Sequence, residues 1–240
     1  MLRTIVVFAV LVEVAHGLFE IPAQFMTEEE LMAKYPLDNK DIQAVQCDDI
    51  IFQHVQQAFN VKLNINANYT WKDSALLLYN IDRLLKNTDF QNYINVCQAR
   101  QGFYGGLGAN YFACVNRYYL LGKPGATWTN VMQYIQLFAK LDFICNAGFE
   151  VAQPNWPCIT STEGKNLTEI NACKNAFIST GTSDHWQHLC DGRYLPQYAG
   201  CVQNVFQQTC DNEVGWLACE DIRVEFRRDC FGSDFRCHPN

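Results

Sequence analysis

Residues 131–145, VMQYIQLFAKLDFIC, show the clearest helical pattern in the chain. Apolar side chains recur there every three or four residues, which is the spacing of one face of an α-helix. Gly148 follows at a position where glycine commonly ends a helix in the left-handed conformation. The same spacing recurs through most of the chain, so we predict an all-α fold, a helical bundle stapled by disulfides. The residues of this first face are Val131, Tyr134, Ile135, Phe138, Leu141 and Cys145.

Among the helices predicted upstream, three span residues between Ile42 and Cys97. The first contains Cys47, Ser74 caps the second, and Thr88 with Gln91 forms the capping box of the third. Their apolar positions are, in chain order, Ile42, Val45, Ile51, Val55 and Phe59; then Leu77, Ile81, Leu84 and Leu85; then Phe90 and Ile94.

Two stretches are predicted to interrupt the helices. Residues 102–108, GFYGGLG, have the glycine content of a phosphate-binding loop, but no Lys-Ser or Lys-Thr pair follows and the flanking pattern contains no strand. We therefore interpret them as an ordinary loop. Residues 154–158, PNWPC, are predicted to form a turn.

The composition indicates a folded protein. The 240 residues are 49% hydrophobic and 13% aromatic, and only 18% are charged, whereas disordered chains lack this apolar content. A chain of this length can bury roughly 70% of the surface that it exposes when unfolded. The net charge is −7 and no long basic stretch is present to neutralise phosphates, so we predict no nucleic-acid partner.

The amino terminus has the layout of a secretory signal peptide, which we assign to residues 1–17. Arg3 precedes a short apolar run, and small residues precede a cleavage point at Leu18. The run is far shorter than the ~20 residues that span a bilayer, and no later segment is long and apolar enough, so no membrane span is predicted. We therefore expect a secreted, extracellular protein.

Residues 18–240 are predicted to form a single cysteine-rich helical domain, with N-terminal helices in residues 18–96 and a cysteine-dense part in residues 97–240. Two sequons begin at Asn68 and Asn166. They are candidate glycosylation sites, because glycan transfer needs an exposed Asn followed two residues later by Ser or Thr.

Twelve cysteines follow the predicted signal peptide, and an even number in an oxidising compartment predicts up to six disulfides. No two are closer than seven residues, which does not fit the Cys-x-x-Cys pairs of zinc ribbons and fingers, so we predict no metal site. An intramolecular partner of Cys47 must lie at Cys97 or beyond, because no cysteine lies between them. The set is Cys47, Cys97, Cys114, Cys145, Cys158, Cys173, Cys190, Cys201, Cys210, Cys219, Cys230 and Cys237.

Cysteine spacing near the carboxyl terminus predicts an antiparallel helical hairpin. Cys190 and Cys201 are 11 residues apart, as are Cys219 and Cys230, and 11 residues is close to three whole helical turns. A turn at Asp211-Asn212 would then bring the two sets opposite each other. We predict the pairs Cys201–Cys219 and Cys190–Cys230. Glycine and proline residues interrupt the first arm, so Cys190 can lie on a separate helix and the outer pair can fail while the inner pair holds.

We predict no catalytic, cofactor-binding or metal-ligating residues. His185 and His188 have a spacing that can bring both imidazoles to one metal, but the glutamate of a His-Glu-x-x-His site is absent, and a polar helix start is the simpler interpretation. No Gly-x-Ser-x-Gly motif occurs, and an even cysteine count offers no free thiol. Four carboxylates could form an acid–base pair only if a cleft joined them: Asp48, Asp49, Glu220 and Asp221.

Several segments combine cysteines with aromatic residues at defined intervals: Tyr134–Phe138, Leu141–Glu150, Trp156–Cys158, Tyr198–Cys201, Cys210–Trp216 and Cys219. Across roughly residues 97–231, this arrangement resembles nematode secreted cysteine-rich helical domains, those of the domain-of-unknown-function 19 type and the similar chondroitin proteoglycan 4 domain. The resemblance implies a secreted helical disulfide domain and assigns no catalytic residue. No serine is followed by glycine, so the attachment site for chondroitin is absent.

Three classes of function fit these observations. The first is a non-catalytic extracellular binding or structural protein, whose partner is an extracellular protein or matrix component. The second is a carrier of small hydrophobic ligands, and the third is a secreted hydrolase. A large closed apolar cavity would favour the carrier, and an exposed aromatic patch over a filled interior would favour protein binding. A carboxylate in a cleft beside His54, His185 or His188 would favour the hydrolase.

Overall fold

The computed structural model describes residues 46–184, 188–189, 193–227 and 235–239. These residues form helices joined by turns, with no strand among them, and the predicted all-α, disulfide-stapled fold is confirmed. Short 3₁₀ turns cover Trp71–Asp73 and Gly108–Asn110. The helices are α1 (Asp49–Lys62), α2 (Ser74–Leu85), α3 (Phe90–Leu107), α4 (Tyr111–Cys114), α5 (Arg117–Leu121), α6 (Trp128–Ile144), α7 (Phe149–Lys165), α8 (Leu167–Ser183), α9 (Tyr194–Thr209) and α10 (Asn212–Phe226).

Helix α6, which contains most of the predicted run 131–145, lies at the centre of the fold. It packs against α2, α3, α5, α7 and α10, and its residues are buried on nearly every side. The role of Gly148 differs from the prediction, because its φ of −77° is not left-handed. A side chain there would place Cβ 2.8 Å from Leu217 Cδ1, so glycine allows the chain after α6 to approach α10 closely.

Helix α1 begins later than predicted. Asp48 caps it, since its carboxylate accepts hydrogen bonds from the amides of Ile50 and Ile51 at 2.9 and 3.1 Å. Cys47 therefore lies before the helix rather than within it. The predicted positions Ile42 and Val45 lie outside the described residues.

The caps of α2 and α3 also differ from the prediction. Thr70 begins the 3₁₀ turn before α2, and Ser74 is the first residue of α2, with its hydroxyl donating to Gln133 Oε1 at 3.0 Å. Asp89, not Thr88, caps α3 and accepts a hydrogen bond from the Gln91 amide at 3.0 Å.

The loop predicted at residues 102–108 is wrong, because α3 continues through it to Leu107. Gly106 faces α1, where an added Cβ would lie 2.8 Å from Val55 Cγ2. Glycine at this position lets the two helices pack closely, and that packing outweighs the helix-breaking tendency of the stretch. The helix ends at Gly108, whose φ is +53°. The boundary predicted between residues 96 and 97 falls inside α3.

The turn predicted at residues 154–158 is also wrong, because α7 runs through both prolines. Trp156, only 1% exposed, donates its indole N–H to the Asn87 carbonyl at 3.1 Å, and its ring lies 4.8 Å from that of Tyr93. Burial of this large ring stabilises the helix against the loss of hydrogen bonds that Pro154 and Pro157 cause.

The predicted hairpin of α9 and α10 forms, with its turn at Cys210-Asp211, one residue earlier than the predicted Asp211-Asn212. The predicted pair Cys201–Cys219 is wrong: Cys201 bonds to Cys173 on α8, and Cys219 bonds to Cys237. Gln203 lies on the side of α9 that meets α10, since its carbonyl would be 3.0 Å from a Cβ on Gly215. Two residues correspond to about 200° around a helix, so Cys201 is turned almost directly away.

Five disulfides join the described cysteines, and none of these cysteines is free. Cys47 bonds to Cys114, which confirms that its partner lies beyond Cys97. The predicted pair Cys190–Cys230 lies outside the described residues and stays a prediction. The bonded pairs are Cys47–Cys114, Cys97–Cys145, Cys158–Cys210, Cys173–Cys201 and Cys219–Cys237.

Candidate functional site

Three aromatic rings form a patch where α3 meets α4. The ring centroid of Tyr111 lies 4.8 Å from that of Tyr104 and 5.3 Å from that of Phe112. Tyr111 is fully buried, whereas Tyr104 and Phe112 are 40% and 64% exposed. We call these three residues the aromatic patch. It places apolar rings on the surface over a core that is itself filled by aromatic side chains.

A polar anchor holds the aromatic patch in place. The Tyr111 hydroxyl hydrogen-bonds to both carboxylate oxygens of Asp142 on α6, each at 2.8 Å. Arg100 on α3 donates to the same carboxylate at 2.6 and 2.8 Å, and its guanidinium carbon lies 4.9 Å from the centroid of the Tyr104 ring. Because Arg100 contacts the patch and its anchor together, Tyr104 and Tyr111 are fixed relative to α6.

A groove runs between the start of α1, the 3₁₀ turn before α2 and the loop before α6. Its volume is about 410 Å³, within the range of roughly 300–1,000 Å³ typical of small-molecule sites. The groove is partly open to solvent, so it is not the large closed cavity that would favour a carrier. The lining residues are Asp49, Phe52, Gln53, Gln56, Thr70, Trp71, Lys72, Lys123 and Pro124.

Asp49, Tyr119 and Lys123 form a hydrogen-bonded group beside the groove. The Tyr119 hydroxyl donates to Asp49 Oδ1, and Lys123 Nζ donates to Oδ2 at 2.6 Å. The bond from Lys123, and then that from Tyr119, lowers the pKa of the Asp49 carboxyl, and the same carboxylate raises the pKa of Lys123. Burial and the bond to Asp49 raise the pKa of the Tyr119 hydroxyl. Asp49 and Lys123 thus neutralise each other.

A buried chain of hydrogen bonds supports the floor of the groove. The Tyr134 hydroxyl donates to Gln56 Oε1 at 2.6 Å, and Gln56 Nε2 donates to Asn60 Oδ1 at 2.8 Å. Asn60 Nδ2 in turn donates to the carbonyls of Asn66 and Tyr69 at 3.1 and 2.8 Å. This network ties the loop after α1 to the core and so positions the 3₁₀ turn before α2, which contains the groove residues Trp71 and Lys72.

The Cys47–Cys114 disulfide makes the groove and the aromatic patch neighbours. Asp49 follows Cys47 by two residues, and Phe112 precedes Cys114 by two. The Cα atoms of the two half-cystines are 4.9 Å apart. Both candidate sites therefore belong to one region of the surface, at the amino-terminal end of α1.

An ion cluster lies inside the core between α6 and α10. Lys140 Nζ is 3.0 Å from Glu225 Oε1 and 3.3 Å from Asp221 Oδ2, and all three residues are at most 2% exposed. Burial opposes the charge on Lys140, but the two carboxylates outweigh it and raise the pKa of the lysine. Burial raises the pKa of Asp221 to about 6. The cluster links two helices from within and offers no open surface to a ligand.

Neither of the described candidate histidines, His54 and His188, lines the groove. His54 is exposed on α1 and has no carboxylate partner among the described residues. The ring centroid of His188 lies 6.4 Å from that of Tyr194, while His185 lies outside the described part of the chain. Within the described ranges, no three His, Cys, Asp or Glu side chains are grouped to hold a metal ion.

The four candidate carboxylates do not converge. Asp48 caps α1, and Asp49 bonds to Lys123. Glu220 pairs with Arg223 one turn later on α10, with Nη2 of the arginine 2.6 Å from its Oε2, and Asp221 points into the core cluster. They therefore form no acid–base pair with one another.

The two sequons differ in exposure. Asn68 is exposed in the loop before α2, close in sequence to the groove residue Thr70. Asn166 is half-buried at the junction of α7 and α8. Asn68 is the more accessible of the two to a glycosylating enzyme.

Comparison of the chain with protein-family models, with curated proteins and with solved structures gave no match. Among the helices described, none has the length and apolar character needed to cross a membrane.

Apart from Asp49, which was a candidate carboxylate, the residues of the aromatic patch and the groove were not among the site residues predicted from the sequence. Tyr104 lies in a glycine-rich stretch that reads as a loop, and Trp71 and Lys72 follow a polar stretch with no periodicity. The exposure of Tyr104 could have been predicted from the sequence. If α3 is extended to Leu107, Tyr104 follows the buried Phe103 by one residue and therefore lies outside the buried face of the helix. No such signal existed for the groove, because its residues are distant in the chain.

Proposed function

We propose that the chain is a secreted, non-catalytic extracellular protein that binds another protein through the aromatic patch. The observation that carries the proposal is Phe112, which remains 64% exposed although its neighbour Tyr111 is fully buried. Exposed aromatic rings on a filled interior are typical of protein interaction sites, and aromatic residues are enriched among those that dominate binding energy.

The rigidity of the patch supports this proposal. Tyr111 is bonded to Asp142, and Arg100 contacts both Asp142 and the Tyr104 ring. A surface that is already ordered loses less conformational entropy when a partner binds, so more of the contact energy appears as affinity.

Two glycines of α3 add to the support. A Cβ built on Gly102 or Gly105 would meet no atom within 4 Å, so packing within the described structure does not require glycine at either position. Glycine inside a helix costs about 0.5–1 kcal/mol relative to alanine. Their presence beside Tyr104 leaves the helix backbone open to close approach by a partner.

The extracellular setting has independent support. Disulfides such as the five described persist in oxidising compartments, and the signal-peptide pattern and the sequons fit the secretory route. The resemblance to secreted nematode cysteine-rich domains points the same way.

Phe112→Ser tests the proposal. The protein is produced through a secretory route, immobilised and exposed to extracellular fluid of the source organism. The partner that it retains is identified, purified and titrated against each variant. We expect Phe112→Ser to weaken binding roughly 30-fold or more, the effect of removing one interface hot spot of about 2 kcal/mol. The readout is the dissociation constant with the purified partner.

Tyr79→Ser is the matched control, because Tyr79 is an aromatic residue on α2, outside the patch, with 59% exposure. It should leave the affinity unchanged. Equal affinity for the wild type and Phe112→Ser would show that the patch is not the binding surface.

A further inference from the structure

We propose that the groove binds a small amphipathic carboxylate, with its charged group beside Lys72 and its apolar chain along Phe52, Trp71 and Pro124. This site is separate from the aromatic patch, and its existence does not depend on a protein partner. It also differs from an enclosed carrier cavity, since the groove is partly open to solvent.

Charge favours an anion in the groove. The Asp49 carboxylate is 2.6 Å from Lys123 Nζ, so those two charges cancel. No carboxylate lies within ion-pair distance of Lys72 among the residues described, and the neighbouring Asp73 is bonded to the amide of Thr70 at 2.9 Å. The groove therefore has one uncompensated positive charge, on a protein whose net charge is −7.

The groove contains hydrogen-bond donors that have no partner among the described residues. The indole N–H of Trp71 makes no hydrogen bond there, and neither does the side-chain amide of Gln53, which can both donate and accept. The acceptors Asp49 and Gln56 already receive hydrogen bonds from Lys123 and from Tyr134. A carboxylate, which offers only acceptors when ionised, matches this inventory.

The apolar walls suit an aliphatic chain. Phe52, Trp71 and Pro124 all line the groove, and the first two are buried to more than nine-tenths. The Lys72 ammonium lies 5.3 Å from the centroid of the Trp71 ring, so the charge and the apolar surface are adjacent. A ligand with a carboxylate at the end of a hydrocarbon chain can contact both at once.

Calorimetric titration with three probes of equal chain length tests the proposal. We expect dodecanoate to bind at least tenfold more tightly than dodecan-1-ol, and dodecyltrimethylammonium to bind more weakly than either. The two ionic probes are used below their micellar concentrations and the alcohol below its solubility limit. Lys72→Gln should weaken the binding of dodecanoate about tenfold and leave the affinity for dodecan-1-ol unchanged. Lys62→Gln, an exposed lysine of α1 outside the groove, is the matched control and should change neither.

A groove-filling variant separates the site from adventitious binding. Gln53→Trp should abolish binding of dodecanoate and dodecan-1-ol, whereas His54→Trp, on the adjacent exposed position, should not. Equal affinity of the wild type for dodecanoate and dodecan-1-ol would overturn the carboxylate site. An affinity of Lys72→Gln for dodecanoate equal to that of the wild type would overturn it as well. Failure of all three probes to bind would overturn a ligand site in the groove altogether. Phe112→Ser should bind dodecanoate normally, so the two proposals fail separately.

Discussion

Asp221 is a carboxylate buried in the core between α6 and α10. Its carboxylate is fully buried, and burial raises its pKa to about 6 although Lys140 lies 3.3 Å away. Glu225 shares the same lysine, the charge of Asp82 also raises the pKa of Lys140, and Asp221 in turn helps to raise the pKa of the Tyr93 hydroxyl. The native state therefore binds a proton at Asp221 more strongly than the unfolded chain does.

The free energy of unfolding should consequently fall as the pH rises from about 4 to about 6. The contribution of Asp221 is present below the unfolded pKa of 3.8 and is lost as the pH passes the folded pKa of about 6. At about 1.4 kcal/mol per pKa unit, the loss is roughly 3 kcal/mol. Asp221→Asn, which cannot titrate, should remove this part of the dependence. Urea denaturation at several pH values between 4 and 7 measures it.

Asp89→Asn is the control for this experiment, because the exposed helix cap remains functional as asparagine. It should keep the slope of the wild type between pH 4 and 6. If Asp221→Asn also keeps that slope, Asp221 does not titrate as stated.

Helix α3 has interior glycines in two different environments. Gly106 faces Val55 of α1, with 2.8 Å between an added Cβ and Val55 Cγ2, whereas Gly102 faces open space. The β-branched valine has little rotamer freedom with which to move away. One helix therefore contains a glycine that packing requires and a glycine that it does not.

Alanine substitutions should separate the two. Gly106→Ala should lower the free energy of unfolding by about 1–3 kcal/mol, the usual cost of overpacking. Gly102→Ala should raise it by about 0.5–1 kcal/mol, because alanine favours the helix. Chemical denaturation of both variants gives the values. An equal gain in stability for both would show that α1 and α3 do not approach each other closely at residue 106.

Across the whole molecule, the described disulfides fall into two groups. Two bridges lie within residues 47–145, three lie within residues 158–237, and none of the five joins the groups. Packing connects the groups instead: α6 contacts α10, and the ring of Tyr93 contacts those of Phe149 and Trp156. The hydrophobic core is continuous across them.

The remaining bridge follows by elimination. Ten of the twelve cysteines are bonded to one another, which leaves Cys190 and Cys230 as each other's partners if every bridge is intramolecular. Proteolysis without reduction, followed by mass spectrometry, should recover one cross-linked peptide that contains both. Alkylation of the denatured, unreduced protein should label no thiol. A labelled thiol at Cys190 or Cys230, or a dimer that reduction dissociates, would contradict the pairing.

Local sequence was enough to predict most of the helices and the bonded state of the described cysteines, but not the helical conformation of residues 102–107 and 154–158. Helical spacing reflects contacts within a few residues, so α6 could be predicted from it, and the spacing of the cysteines predicted the α9–α10 hairpin. Cysteine spacing could not predict the pairing, because it sets the angle between two cysteines on a helix and not the side that faces a neighbour. Cys201 therefore bonds to Cys173 rather than to Cys219.

Long-range packing settled the rest. Gly106 of α3 lies in a helix where it packs against Val55 of α1. The prolines of α7 lie in a helix because Trp156 of α7 is buried against Tyr93 of α3 and bonds to the Asn87 carbonyl. The groove brings Asp49 to Lys123, 74 residues later, and the aromatic patch depends on a bond from Tyr111 to Asp142, 31 residues later. Such contacts leave no periodic trace in the sequence, since the energy that selects them comes from burial between helices and exists only once the chain has folded.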